Sequence, residues 1–161
     1  MLAPRRLALL LLAAATPAVA QQSLGVFGLW VAFRTPERCY AIAEPEEPGR
    51  AGDGAAYASV GYWPQRGLRG QAYFRFRQPK RAGSAVLLRI DDRTFQLRGG
   101  GTGAWTADAA ADAEIVAAMR TGIEMTIQTR AGNGALLRDS YPLRGAATAI
   151  DAAAIACARR P

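Results

Sequence analysis

The sequence predicts a mainly β domain, a β-sandwich or small barrel of about eight short strands with two short helices in the C-terminal half. Three observations lead there. Short segments in which apolar and polar residues alternate recur along the chain. Clusters of Gly, Pro and Asp separate them at close intervals, as turns between sequential strands require. Helical spacing of apolar residues appears in only two segments, both beyond residue 105.

The first twenty residues, MLAPRRLALLLLAAATPAVA, stand apart from that pattern. Arg5 and Arg6 form a basic start, Leu7 to Ala15 an apolar stretch, and Ala18-Val19-Ala20 a run of small residues suited to cleavage. This is the pattern of a secretory signal peptide, and the apolar stretch is too short to span a bilayer. A retained membrane anchor is the alternative. No cysteine follows the apolar stretch, so no lipid-anchored form is expected. The expected mature chain is one domain, residues 21–161, periplasmic or secreted, with no transmembrane segment.

Within it, GVFGLWVAF (25–33) is rich in strand formers, with Trp30 as a core anchor. After the turn TPER, CYAIAE sets Cys39, Ala41 and Ala43 on one face and Tyr40 and Ile42 on the other. PEEPGRAGDG (45–54) is a polar loop. AYASVGYW (56–63) and QAYFRFR (71–77) follow as strands. In the second, Phe74 and Phe76 point inward while Tyr73, Arg75 and Arg77 point out. SAVLLRI (84–90) turns at Asp91-Asp92 into TFQL, with Val86, Leu88, Ile90, Phe95 and Leu97 inward.

GGGTGAW (99–105) resembles a phosphate-binding loop only in its glycines. Such a loop must open a helix, whose N-terminus supplies the aligned N–H groups. Here the glycines lead to Ala104-Trp105, a brief strand, so they mark a turn. A helix follows in TADAAADAEIVAAMRTG, capped by Asp108 or Asp112, ended by Gly122, with Ile115, Val116 and Met119 as its buried stripe. IEMTIQT (123–129) is a strand with Ile123, Met125 and Ile127 inward, and RAGNG turns it into ALLRDSYPL. GAATAIDAAAIACARR is a second helix aligning Ile150, Ala153 or Ala154, and Cys157.

The chain contains no histidine, which removes Ser-His-Asp and Cys-His catalysis and His-ligated zinc. No catalytic residue, cofactor or metal site is assigned. Carboxylates such as Glu44, Glu46, Glu47, Asp108 and Asp112 are scattered, and a small periplasmic hydrolase using two of them is the alternative to a non-enzymatic protein. In an oxidising compartment the only two cysteines, Cys39 and Cys157, read as a disulfide; two buried thiols are the alternative.

Charge is unevenly placed. Residues 21–161 carry 18 basic and 13 acidic side chains, a net of +5, yet residues 66–93 alone hold a net of +6. Arg66, Arg69, Arg75, Arg77, Lys80 and Arg81 are therefore the candidates for contact with an anionic partner. Lipopolysaccharide, anionic lipid head groups and a host-surface glycan fit that description. No nucleic-acid reader motif is present. A basic face that is merely solvated is the alternative.

RCYAIAEP near the mature N-terminus, RIDDRTFQL followed by GAWTADAAADAEIVAAMRTG, and RDSYPLRGAATAIDAAAIAC occur in that order. Together they resemble the invasion-associated locus B family of exported bacterial proteins. The resemblance covers most of residues 21–161 and is most specific in the central block. It implies a periplasmic or surface-associated protein acting by binding rather than catalysis, with a role in host-cell interaction or invasion. It also implies that Cys39 and Cys157 are the family's paired cysteines. Two features depart from the family pattern: Asp91-Asp92 replaces an Asp-Gly turn, and YFRFRQPKR is unusually basic.

Overall fold

The computed structural model describes residues 21–50 and 52–158. The signal-peptide expectation for residues 1–20 lies outside them. Ten antiparallel strands follow one another: β1 (Gln22–Phe27), β2 (Trp30–Arg34), β3 (Cys39–Ala43), β4 (Tyr57–Trp63), β5 (Leu68–Arg75), β6 (Val86–Ile90), β7 (Arg93–Gly100), β8 (Gly103–Trp105), β9 (Glu124–Arg130) and β10 (Leu136–Pro142). A short 3-10 turn, Pro64–Arg66, joins β4 to β5. Helix α1 (Ala109–Thr121) separates β8 from β9, and α2 (Ala146–Ala158) follows β10. No described helix is long and apolar enough to cross a membrane.

The strands form one sheet in the order β1-β2-β3-β4-β5-β8-β7-β6-β9-β10. Two hydrogen bonds link the regions near its two ends: the Trp30 indole N–H donates to the Pro142 carbonyl at 3.0 Å, and the Leu29 N–H to the Arg144 carbonyl at 3.4 Å. The approach needs glycine, since a Cβ on Gly145 would lie 1.8 Å from the Phe27 carbonyl oxygen. No ladder pairs β1 with β10 among the described residues.

The alternation expected from sequence decides what lies inside. Ala32, Ala41, Ala43, Ala58 and Ala72 make a shallow inner surface over β2–β5. Their small side chains let α2 settle closely through Ala146, Ala149, Ile150 and Ala153. Larger residues fill the remainder: Trp30, Phe74, Phe76, Leu88, Ile90, Met125, Ile127 and Tyr141. Helix α1 packs on β5 through the expected stripe of Ile115, Val116 and Met119, joined by Ala118. Cys39 and Cys157 form the expected disulfide, tying the end of α2 to β3 across 118 positions of sequence.

Two expectations need correction, and one left open is resolved. The stretch 25–33 is not one strand but the hairpin β1–β2, because Gly28 turns the chain at φ +62°. Ile123 is 82% exposed rather than inward. It precedes β9, where its N–H donates to the Asp91 carboxylate and its carbonyl accepts from Leu143, so strand alternation does not govern it. Of the two caps proposed for α1, Asp108 accepts from the Ala111 N–H. Asp112 instead turns under the helix and accepts from the Ala72 N–H of β5 at 2.8 Å.

Candidate binding face

The basic residues gathered in sequence are dispersed in space. A strand advances about 3.3 Å per residue, so Arg69 and Arg75, both on β5, stand roughly 20 Å apart. Exposed Arg66 belongs to the 3-10 turn. Arg69 lines a groove of about 770 Å³ with Tyr62, Leu68 and the α2 residues Ala154 and Cys157. There burial pushes the Tyr62 hydroxyl up, against the pull of Arg120. At the opposite end, exposed Arg81 lines a separate groove of about 540 Å³ with Ser84, Gln128 and Arg130. Half-buried Lys80 bridges to Ala131, and its ammonium donates to the Arg81 carbonyl.

Arg77 does not face solvent as alternation predicted. Strand β5 ends at Arg75, and beyond it the chain runs beside the loop of residues 44–56. The Arg77 guanidinium pairs with Asp139 on β10, their side chains only 15% and 5% exposed, and it donates to the Glu47 carbonyl. Buried, its charge is matched by a carboxylate and withdrawn from any external anion.

Arg75 alone of the six sits on the outer face of the sheet, and that face is the site with the most distinctive composition. Inward Ala58, Phe74 and Ala104 set the pleat, so Tyr57, Ser59, Tyr73, Arg75 and Trp105 face out. Register places Tyr73 opposite Trp105, and Trp105 opposite Arg98 of β7. The Tyr57 and Tyr73 rings lie 6.0 Å apart. Burial, with help from neighbouring Tyr57, pushes the Tyr73 hydroxyl up. Two strands away, Phe33 and Tyr40 stack at 5.5 Å, and the Arg38 guanidinium lies over both Tyr40 and Trp63.

Glycines seat these rings. A Cβ on Gly61 would meet the Trp63 ring at 2.4 Å, and one on Gly103 would meet the Tyr73 hydroxyl at 2.8 Å and its ring at 3.2 Å. The far edge of the Trp105 ring reaches toward Gly100, 3.7 Å from where a Cβ on that glycine would stand. Gly101 and Thr102 make the expected turn between β7 and β8, and Gly103 also makes room for the Tyr73 side chain to lie along the sheet. Trp105 remains 38% exposed. Arg75 and Arg98 are exposed and make no ion pair among the described residues. No outward position on β2–β5, β7 or β8 carries an acid; Glu37 and Glu44 lie in the flanking turns.

The carboxylates do not all converge on one cleft among the described residues. Glu44, Glu47 and Asp53 line an open groove of about 360 Å³ beside Arg77. Hydrogen bonds from Gln78 and the Arg50 N–H hold Asp53 below the usual carboxylate range, which suits a permanent anion rather than a proton donor. Asp112 is pushed up by burial, but it lies under α1, outside these grooves. No cluster of three or more acids or cysteines among the described residues suits a metal ion.

Arg38, Arg98, Tyr40, Tyr57, Trp63, Tyr73 and Trp105 were not among the candidates read from sequence. Alternation gives Tyr73 as outward and sets Tyr40 on the face opposite Cys39, and an outward aromatic is the available signal. That β3, β4, β5, β8 and β7 lie side by side was not visible locally. No family model, curated protein or solved structure matches the chain.

Proposed function

We propose that the protein is an exported cell-envelope protein that acts by binding an anionic partner on the outer face of β2–β5, β8 and β7. On this reading the chain is a member of the invasion-associated locus B family, and its sheet is a small barrel left open between β1 and β10. The observation that carries the proposal is the pair of uncompensated arginines, Arg75 and Arg98, beside half-exposed aromatic rings on an acid-free sheet face. Cations held over a low-dielectric apolar surface attract anions more strongly than cations on a fully hydrated one. The Cys39–Cys157 bridge is in keeping with an oxidising compartment.

The test is retention of the mature protein on phosphocellulose across a salt gradient. Wild type should be held at low salt and released as screening grows. Arg75→Glu with Arg98→Glu should abolish retention without altering the melting temperature, whereas Arg66→Glu with Arg81→Glu should reduce it far less. Equal losses from the two pairs would refute the assignment of the face.

A further inference from the structure

Resting on that reading, we propose that the anionic partner is a linear polysaccharide bearing carboxylate or sulfate groups, which lies across the strands with sugar rings stacked on Trp105 and Tyr73. Three features of the face favour this ligand. The first is the posture of the rings. The far edge of the Trp105 ring reaches to 3.7 Å from where a Gly100 Cβ would stand, and the Tyr73 ring to 3.2 Å from that of Gly103, so both side chains lean along the sheet. A flat aromatic surface suits the flat, C–H-bearing face of a sugar ring and offers little to insert between acyl chains.

The second is extent. The two aromatic groups, Tyr57-Tyr73-Trp105 and Phe33-Tyr40-Trp63, occupy one face from β2 to β8, and Arg98 extends it to β7. Six neighbouring strands at about 4.8 Å spacing make a strip of roughly 24 Å. That is a track for an extended chain rather than a seat for one head group. The third is charge density. Arg38 is already placed over Tyr40 and Trp63, which leaves Arg75 and Arg98 beside the exposed tryptophan as exposed cations with no ion pair among the described residues. A single-stranded nucleic acid carries a phosphate at every nucleotide and is tracked by a continuous basic groove. This face instead carries two separated arginines beside its aromatic rings, and no continuous basic groove among the described residues.

Binding of the mature protein to heparin, polygalacturonate and neutral dextran would be measured by titration calorimetry, with phosphatidylglycerol vesicles and oligo(dT) as comparison arms. Heparin or polygalacturonate should bind and dextran should not. Trp105→Ala should weaken binding at least tenfold, and the loss should persist at 0.5 M salt, where charge contributes little. Trp105→Phe, which keeps an aromatic ring, should bind within a few-fold of wild type and guards against a folding defect in the alanine variant. Trp105→Ala binding as wild type while Arg75→Glu with Arg98→Glu abolishes binding would overturn the stacked polysaccharide and leave the anionic face standing. Binding to vesicles or oligo(dT) without either polysaccharide would also overturn it. Failure to bind any of the polyanions would remove both readings.

Discussion

Replacing Arg77 by alanine should destabilise the domain severely, although the neighbouring Arg75→Ala should hardly be felt. Asp139 points inward from β10, opposite Ile127, with 5% of its side chain exposed, and Arg77 is its cationic partner. Removing the guanidinium leaves a buried carboxylate without a counter-charge, a change that costs about 3–5 kcal/mol. The Glu47 carbonyl loses its donor as well, which loosens the loop of residues 44–56. Domains of this size are stable by roughly 5–15 kcal/mol in total, so the loss is a large fraction. Exposed Arg75 has no such partner, and its replacement should shift stability by about 0.5 kcal/mol or less. Urea denaturation separates the two: with a slope near 2 kcal/mol per molar, Arg77→Ala should lower the midpoint by roughly 2 M at unchanged slope. Arg77→Met combined with Asp139→Leu removes both charges and should recover much of the loss. A midpoint for Arg77→Ala equal to that of Arg75→Ala would refute the buried pair.

Cys157→Ser should lower stability by about 2–5 kcal/mol, because it opens a loop spanning 118 positions; non-reducing peptide mass spectrometry should find Cys39 and Cys157 linked in the wild type. Phe76→Ala should cost about 3–5 kcal/mol in the same urea assay, since the ring is 1% exposed and leaves a cavity. Asp112 has a pKa raised by burial despite bonds from the Ala72 N–H and Thr106, so its ionisation opposes folding. Its contribution is fully present below the unfolded value of 3.8 and is lost as pH rises through the higher folded value. Asp112→Asn keeps an acceptor for Ala72 without the charge. It should therefore melt at or above the wild-type temperature at pH 7, whereas Asp112→Ala should lose about 1–3 kcal/mol. An Asn variant as unstable as the Ala variant would show that the charge itself is required.

What the sequence determined by itself was local and periodic. Alternation grouped Cys39-Ala41-Ala43, Phe74-Phe76 and Val86-Leu88-Ile90 each on one face, and all are buried. Asp108, one of two candidate caps, and Gly122 marked the two ends of α1, and the cysteine count anticipated the bridge between β3 and α2. These features follow from backbone periods and capping groups that act within a few residues, so a linear reading reaches them. It failed where long-range partners overrule the period: Ile123 is held by Asp91 and Leu143, and Arg77 is drawn to Asp139. The binding face lies beyond local reach for the same reason. Arg75 and Arg98 are separated in sequence by the whole β6–β7 hairpin, and only the strand order β5-β8-β7 brings them to either side of Trp105. The basic run of residues 66–81 was legible as charge but not as a surface, because a strand spends its length separating residues that neighbouring strands bring together.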